Sequence, residues 1–135
     1  MKGVRGMFSS DIYNYINVMD KAADATWLRQ TAISNNISNQ STPGYKRQDV
    51  DFEGTLEREL NKSKYTSLDD KVKNLHMNHL NVETYTDSSN YSYRLDENNV
   101  DPEQEYAELA STQIRYTALI NSMSSEYARI KSVIK

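Results

Sequence analysis

The residues best suited to chemistry are few. His76-Met77-Asn78-His79 spaces two imidazoles so that they can share a helix face. A metal clip built on them needs at least one more ligand, and neither a cysteine nor another nearby histidine supplies it. An exposed pair in a polar segment is the plainer reading, with a His-based metalloenzyme as its rival. With only two histidines, acid–base work falls to carboxylates. Asp69–Asp70 and Glu57/Glu59 lie in charge-rich runs that read as solvated faces rather than catalytic dyads. The chain holds no G-x-x-x-x-G-K-[ST] phosphate loop and no G-x-S-x-G elbow. Asn36, Asn39 and Asn61 each begin an N-x-S triplet, read as coincidence because no secretory signal is visible. The sequence therefore predicts no enzyme, no metal, no cofactor and no small-molecule substrate.

Composition points the same way. The 135 residues make one domain's worth of chain. Hydrophobic residues make up 37% and mean hydropathy is −0.82, so exposed helices or a partner are expected rather than a large private core. Net charge is −3 and the cations are scattered, which argues against nucleic acid, whose binding rests on a basic patch. No run approaches the roughly 18 apolar residues of a membrane span. Tyrosine outnumbers phenylalanine ten to two, a bias suited to half-buried seams and interfaces.

The element that must position everything else is a corner. Asn35 to Gln40 is rich in Asn and Ser, which compete with the backbone and weaken a helix from within. Pro43 then disfavours helix at Thr42, and Gly44 supplies the positive φ of a type II turn leading into Tyr45. Residues 1–9 read as a mobile leader. From a start near Asp11, Ile12, Ile16, Met19, Ala23, Thr26, Gln30, Ile33 and Ile37 recur in alternating steps of four and three. That is a heptad seam. Ala22, Ala25 and Ala32 beside it admit a close neighbour, and Trp27 and Leu28 hint at a second contacted face.

The second long helix is announced by Asp101-Pro102-Glu103-Gln104, an N-cap followed by proline at the first helical position. Tyr106, Leu109, Gln113, Tyr116, Ile120, Met123, Tyr127, Ile130 and Ile134 then continue the same 3/4 stepping. Such a rod would be about 50 Å long. Gln30 and Gln113 either set register or sit in a partly wet interface. A lone pair of such helices is marginal, so packing against other subunits is expected.

Between them, Val50, Phe52, Leu56 and Leu60 predict a short helix over 51–61, weakened by Gly54. Residues 61–81 read as a mobile polar stretch, with Val72 in at most one helical turn. Val82, Thr84 and Thr86, then Tyr91, Tyr93 and Leu95, alternate around Asp87-Ser88-Ser89-Asn90 and predict a β-hairpin. The fold class is mainly α: terminal helices 10–45 and 101–135 form one discontinuous coiled-coil domain, joined by a connecting region over 46–100.

The corner is also where a resemblance enters. Residues 34–46 resemble the signature A-x-N-I-A-N-x-x-T-P-G-Y-K of the rod and hook axial proteins of the bacterial flagellum, with Ser34 and Ser38 replacing alanine. Asn36, Asn39, Thr42, Pro43, Gly44 and Tyr45 carry the match. Leu95-Asp96-Glu97-Asn98-Asn99-Val100-Asp101, Glu105 and Gln113-Ile114-Arg115-Tyr116 look like the small proximal rod member of that family. The resemblance covers roughly residues 10–53 and 94–135. One departure is Glu97, where the family usually has glycine; a positive φ there would disfavour Glu.

The resemblance implies a torque-transmitting structural subunit of the basal body. It implies self-assembly of the terminal helices into a helical tube, with neighbouring rod proteins and the ring–rod adaptor as partners. It implies export across the cytoplasmic membrane by the flagellar type III apparatus, without a cleaved signal peptide. Asn36 and Asn39 would then serve at a subunit contact. Another axial rod protein, or a soluble coiled-coil adaptor or export chaperone, is the alternative.

Overall fold

A computed structural model describes residues 2–88 and 95–134, with side chains from residue 11 onward. The elements in order are α1 (Lys2–Ser38), β1 (Gln48–Asp49), α2 (Phe52–Asn61), α3 (Leu68–Lys73), a 3₁₀ turn (Met77–Leu80), β2 (Tyr85–Thr86) and α4 (Pro102–Val133). The long helices run antiparallel. Asn36 near the end of α1 meets Glu105 near the start of α4, and further along Trp27 stands 6.1 Å from Tyr116, ring to ring. No described helix is long and apolar enough to cross a membrane.

Where α1 ends and α4 begins, the local chemistry is as expected. Asp101 caps α4 by accepting from Glu103 N at 3.1 Å, with Pro102 behind it. At the corner, the side chains of Ser38 and Asn39 bond back to the carbonyls of Ser34 and Asn35. Tyr45 N then donates to Thr42 O at 3.2 Å with Gly44 at φ 73°, the type II turn. The start of α1 differs from the expectation, since the helix begins at Lys2 rather than near Asp11. Extending a formed helix through Gly3 and Gly6 costs only about 1 kcal/mol at each, far less than nucleating a new one.

α1 buries two faces. One packs along α4; the other carries Val18, Ala22, Ala25 and Leu28 against Val50, Phe52, Leu56, Leu75, Met77, Leu80 and Val82. The small alanines let α2 and the 3₁₀ turn come close. α2 begins where expected, capped by Asp51, whose carboxylate accepts from Gly54 N at 2.9 Å. A Cβ at Gly54 would collide with that carboxylate, so the cap itself explains the glycine.

Residues 61–81, expected to be a mobile stretch, instead carry α3 and the 3₁₀ turn. Ser67 caps α3 through Asp70 N, while Val72 and Leu80 are buried. Two polar contacts seat the segment on α1: Tyr15 Oη donates to Asp69 Oδ1 at 2.5 Å, and Lys21 Nζ to Asn81 Oδ1 at 2.5 Å. Sparse apolar residues suffice because α1 supplies the rest of the core. The hairpin expectation also changes. Its first arm is ordered as strand only at β2, which pairs antiparallel with β1 in the register Gln48–Thr86 and Asp49–Tyr85. Most of its second arm, residues 91–94, lies outside the described residues, and Leu95 is exposed.

Leu80→Ala should cost about 2–5 kcal/mol in urea unfolding, the range for a buried leucine. An exposed-surface value near zero would mean that this segment is not docked. The hydrogen bond to Asp69, and then burial, raise the Tyr15 phenol from 10.0 to about 12. A raised tyrosine pKa stabilises the fold fully below the unfolded value and loses that effect as pH climbs through the folded one. The stability gap between the parent and Tyr15→Phe should therefore shrink between pH 10 and 12.

Candidate functional site

The corner, β1 and the start of α4 meet in a buried polar junction. Asn36 is fully buried and uses every hydrogen-bonding position of its amide. Nδ2 donates to Gln48 O at 2.8 Å and to Glu105 Oε2 at 3.1 Å. Oδ1 accepts from Gln48 N at 2.9 Å and from Tyr45 Oη at 2.9 Å. One asparagine thus fixes a strand, a turn residue and the other long helix to α1.

Glu105 is 1% exposed, so its charge is out of water and must be matched. Arg47 does this through Nε, and the same guanidinium reaches Asp87 at 2.7 Å and Asp49 at 3.1 Å. Arg29 bridges Asp49 at 2.9 Å and Glu108 at 3.1 Å, tying α1 to both β1 and α4. Burial works against the Arg47 charge, but the hydrogen bond and charge of Glu105, then Asp49 and Asp87, more than offset it. They hold its pKa above the ordinary arginine value. Burial, and then the Glu105 charge, push the Tyr45 phenol up. Tyr45 therefore stays a neutral donor to Asn36.

The loop before α4 closes the junction. Asn98 Nδ2 donates to Asn39 O at 2.7 Å and Thr42 O at 2.9 Å, and Gly44 N donates to Asp96 O at 2.6 Å. Asn99 accepts from Arg47 N at 2.7 Å and donates to Asp87 O at 2.6 Å. Lys46 Nζ donates to Glu97 O, and Glu97 itself sits at φ 61°, the left-handed region that a glycine would occupy without strain. Among the described residues, no buried side-chain nitrogen or oxygen lacks a partner.

Of the signature residues, Asn36 lies at the centre of this junction. Tyr45 joins it directly, and Asn39, Thr42 and Gly44 hold its lid by main-chain groups. Asn36, expected at a subunit contact, is instead consumed within the chain, because its four hydrogen bonds leave it no exposure. Arg47, Asp49, Asp87, Asn99 and Glu105 were not among the expected site residues. The available signal was positional: Asn98–Asn99 and Glu105 stand in the segment that carries the family resemblance. The histidines are placed elsewhere, with rings 5.3 Å apart and His79 against Glu59 at 3.1 Å.

The seam residues divide. On α1, Ile16, Ala23 and Ile33 are buried, while Ile12, Met19, Gln30 and Ile37 are half-buried. On α4, Leu109, Tyr116, Met123 and Ile130 are buried or half-buried, together with Glu105, Thr112, Leu119 and Glu126. Tyr106, Gln113, Ile120, Tyr127 and Ile134 face solvent. The two heptad sets share Leu109, Tyr116, Met123 and Ile130. The more apolar alternate positions, Tyr106, Ile120 and Tyr127, expected in the seam, turn outward while Glu105, Thr112, Leu119 and Glu126 turn in. The buried charge of Glu105 selects the inner one, since Arg47 and Asn36 wait for it there.

A family model described as Flagella basal body rod protein matches residues 16–46. Over 95% of each chain, the sequence is 32% identical to the flagellar basal body rod protein FlgB of Bacillus subtilis (strain 168). It is 30% identical to the protein of that name in Borrelia hermsii, over 89% of this chain and 95% of the relative. It is 24% identical to that of Escherichia coli (strain K12), over 79% and 83%.

Glu105→Ala should cost about 3–5 kcal/mol in urea unfolding, because Arg47 loses its buried counter-charge. A change under 1 kcal/mol would remove the junction from the stability of the fold. Glu97→Gly should raise stability by about 1 kcal/mol by relieving the left-handed residue, read as a higher Tm.

Proposed function

The chain belongs to the flagellar basal body rod protein family, and from that premise we propose that it is a structural subunit of the proximal rod. Its work is mechanical: it holds register and transmits motor torque, and it catalyses no reaction. Its subunits pack through the terminal helices into a helical tube, beside other rod proteins and the adaptor between ring and rod. It reaches that site through the flagellar type III export apparatus without a cleaved signal peptide.

The observation that carries this reading is the outward stripe of α4. Tyr106, Ile120, Tyr127 and Ile134 repeat at intervals of seven or its multiple and are 56%, 37%, 54% and 70% exposed. A regular apolar stripe on the outside of an already paired helix marks a surface for another helix. The inner contacts of the same helix are fixed by Glu105, so the stripe is presented in one orientation. A subunit that passes load to its neighbours needs that rigidity.

Ile120→Asp places a charge in the middle of the stripe, at a position that the fold leaves partly open to water. The variant should keep its helix content by circular dichroism and fail to enter basal bodies. Normal incorporation would refute the stripe as an assembly surface.

A further inference from the structure

Between α1, α2 and α4 lies an apolar groove of about 480 Å³, walled mainly by Ala22, Ala25, Val50, Phe52, Leu56 and Leu119. α2 and α4 stand apart across it, and an ion pair, Arg115 Nη1 to Glu53 Oε1 at 2.7 Å, links the two. The charged side chains that line it are committed, Arg115 to Glu53 and Arg29 to Asp49 and Glu108. Small-molecule sites of this size place a few convergent polar groups on their ligand. This groove offers its guest hydrocarbon instead.

The chain also carries an exposed apolar patch that suits it. At the end of α4, Tyr127 and Ile134 project from one side, 54% and 70% exposed, with exposed Lys131 between them. On α2, one turn beyond the Arg115-paired Glu53, Glu57 is exposed. Apolar side chains beside a cation thus match an apolar groove beside the Glu57 carboxylate. These side chains cannot fill the groove of their own molecule. Groove residues 112–122 and Tyr127 lie on one unbroken helix, with Ile134 its C-cap, and such a helix cannot fold back on itself.

We propose that this groove receives the C-terminal end of α4 from a second copy, with Tyr127 and Ile134 inserted and Lys131 set against Glu57. The inference rests on the reading of the chain as a self-assembling rod subunit and specifies one of its contacts. The two surfaces are different patches, so the contact is heterologous and extends into an open array instead of closing as a dimer.

The chain has no cysteine, so engineered thiols report the contact cleanly. Full-length Ala118→Cys and Ile134→Cys proteins, each checked for parental helix content, are mixed at high concentration and oxidised. Mixed cross-links should exceed both like-with-like products. Sedimentation of the cysteine-free chain should show concentration-dependent association, weakened at least tenfold by Glu57→Lys and restored when Lys131→Glu is added. The assignment is overturned by absence of mixed cross-links, by dominance of Ile134–Ile134 products, or by association indifferent to Glu57→Lys. A chain that enters basal bodies yet gives no mixed cross-link sinks the groove contact alone. A chain that never enters them sinks the rod reading.

Discussion

Everything in this fold answers to one buried carboxylate. Glu105 loses nearly all its water, and an ion of that kind is tolerated only with charge and hydrogen bonds supplied on the spot. Arg47 supplies the charge and Asn36 the second donor. Their placement then fixes much else. Arg47 draws in Asp49 and Asp87, which sets β1 beside β2, while Asn36 clamps the main chain of Gln48 to the end of α1. Asn98 and Asn99 fasten the loop into α4 over the same point. Such a cluster is a poor source of net stability, since well-packed apolar residues often do as well. Its value lies in direction: a slip by one turn would strand three or more buried charged or amide groups.

This view assigns the two sides of α4 different duties. The inner set, from Glu105 through Leu109, Thr112, Tyr116, Leu119 and Met123 to Ile130, joins the helix to α1. The outer set, through Tyr106, Ile120, Tyr127 and Ile134, faces solvent and is the surface proposed above for assembly. On the proposed reading, folding and assembly use different faces of the helix.

How much of this could be read in the sequence depends on the range of the interaction. The type II turn at Pro43–Gly44, the cap at Asp101-Pro102 and the helix over 52–61 are local, and local residue chemistry foretold them. The signature match around Asn36 pointed to the right corner. What escaped was long-range. Apolar periodicity on α4 favoured the set beginning at 106, and the buried partners of Glu105, Arg47 and Asn36, turn the set beginning at 105 inward instead. Val72 and Leu80 looked too sparse to order residues 61–81 because the surface that buries them belongs to α1. β2 pairs with β1 because Arg47 binds Asp87 and Gln48 meets Thr86 at 2.9 Å, contacts that no turn propensity announces. Only Glu97 gave a local hint of strain, and its φ of 61° is where that strain sits.

The central claim is that the junction sets the register of α1 against α4. Spin labels on cysteines at the exposed positions Asp24 and Asn121 measure that register as a distance, in a chain with no cysteine of its own. The parent should give one narrow distribution. Replacing the junction with apolar residues, Asn36→Leu, Arg47→Met and Glu105→Leu together, should keep the helices. It should also broaden the distribution or add a population displaced by about one turn, roughly 5 Å. A single narrow distance, unchanged in the triple variant, would contradict the account.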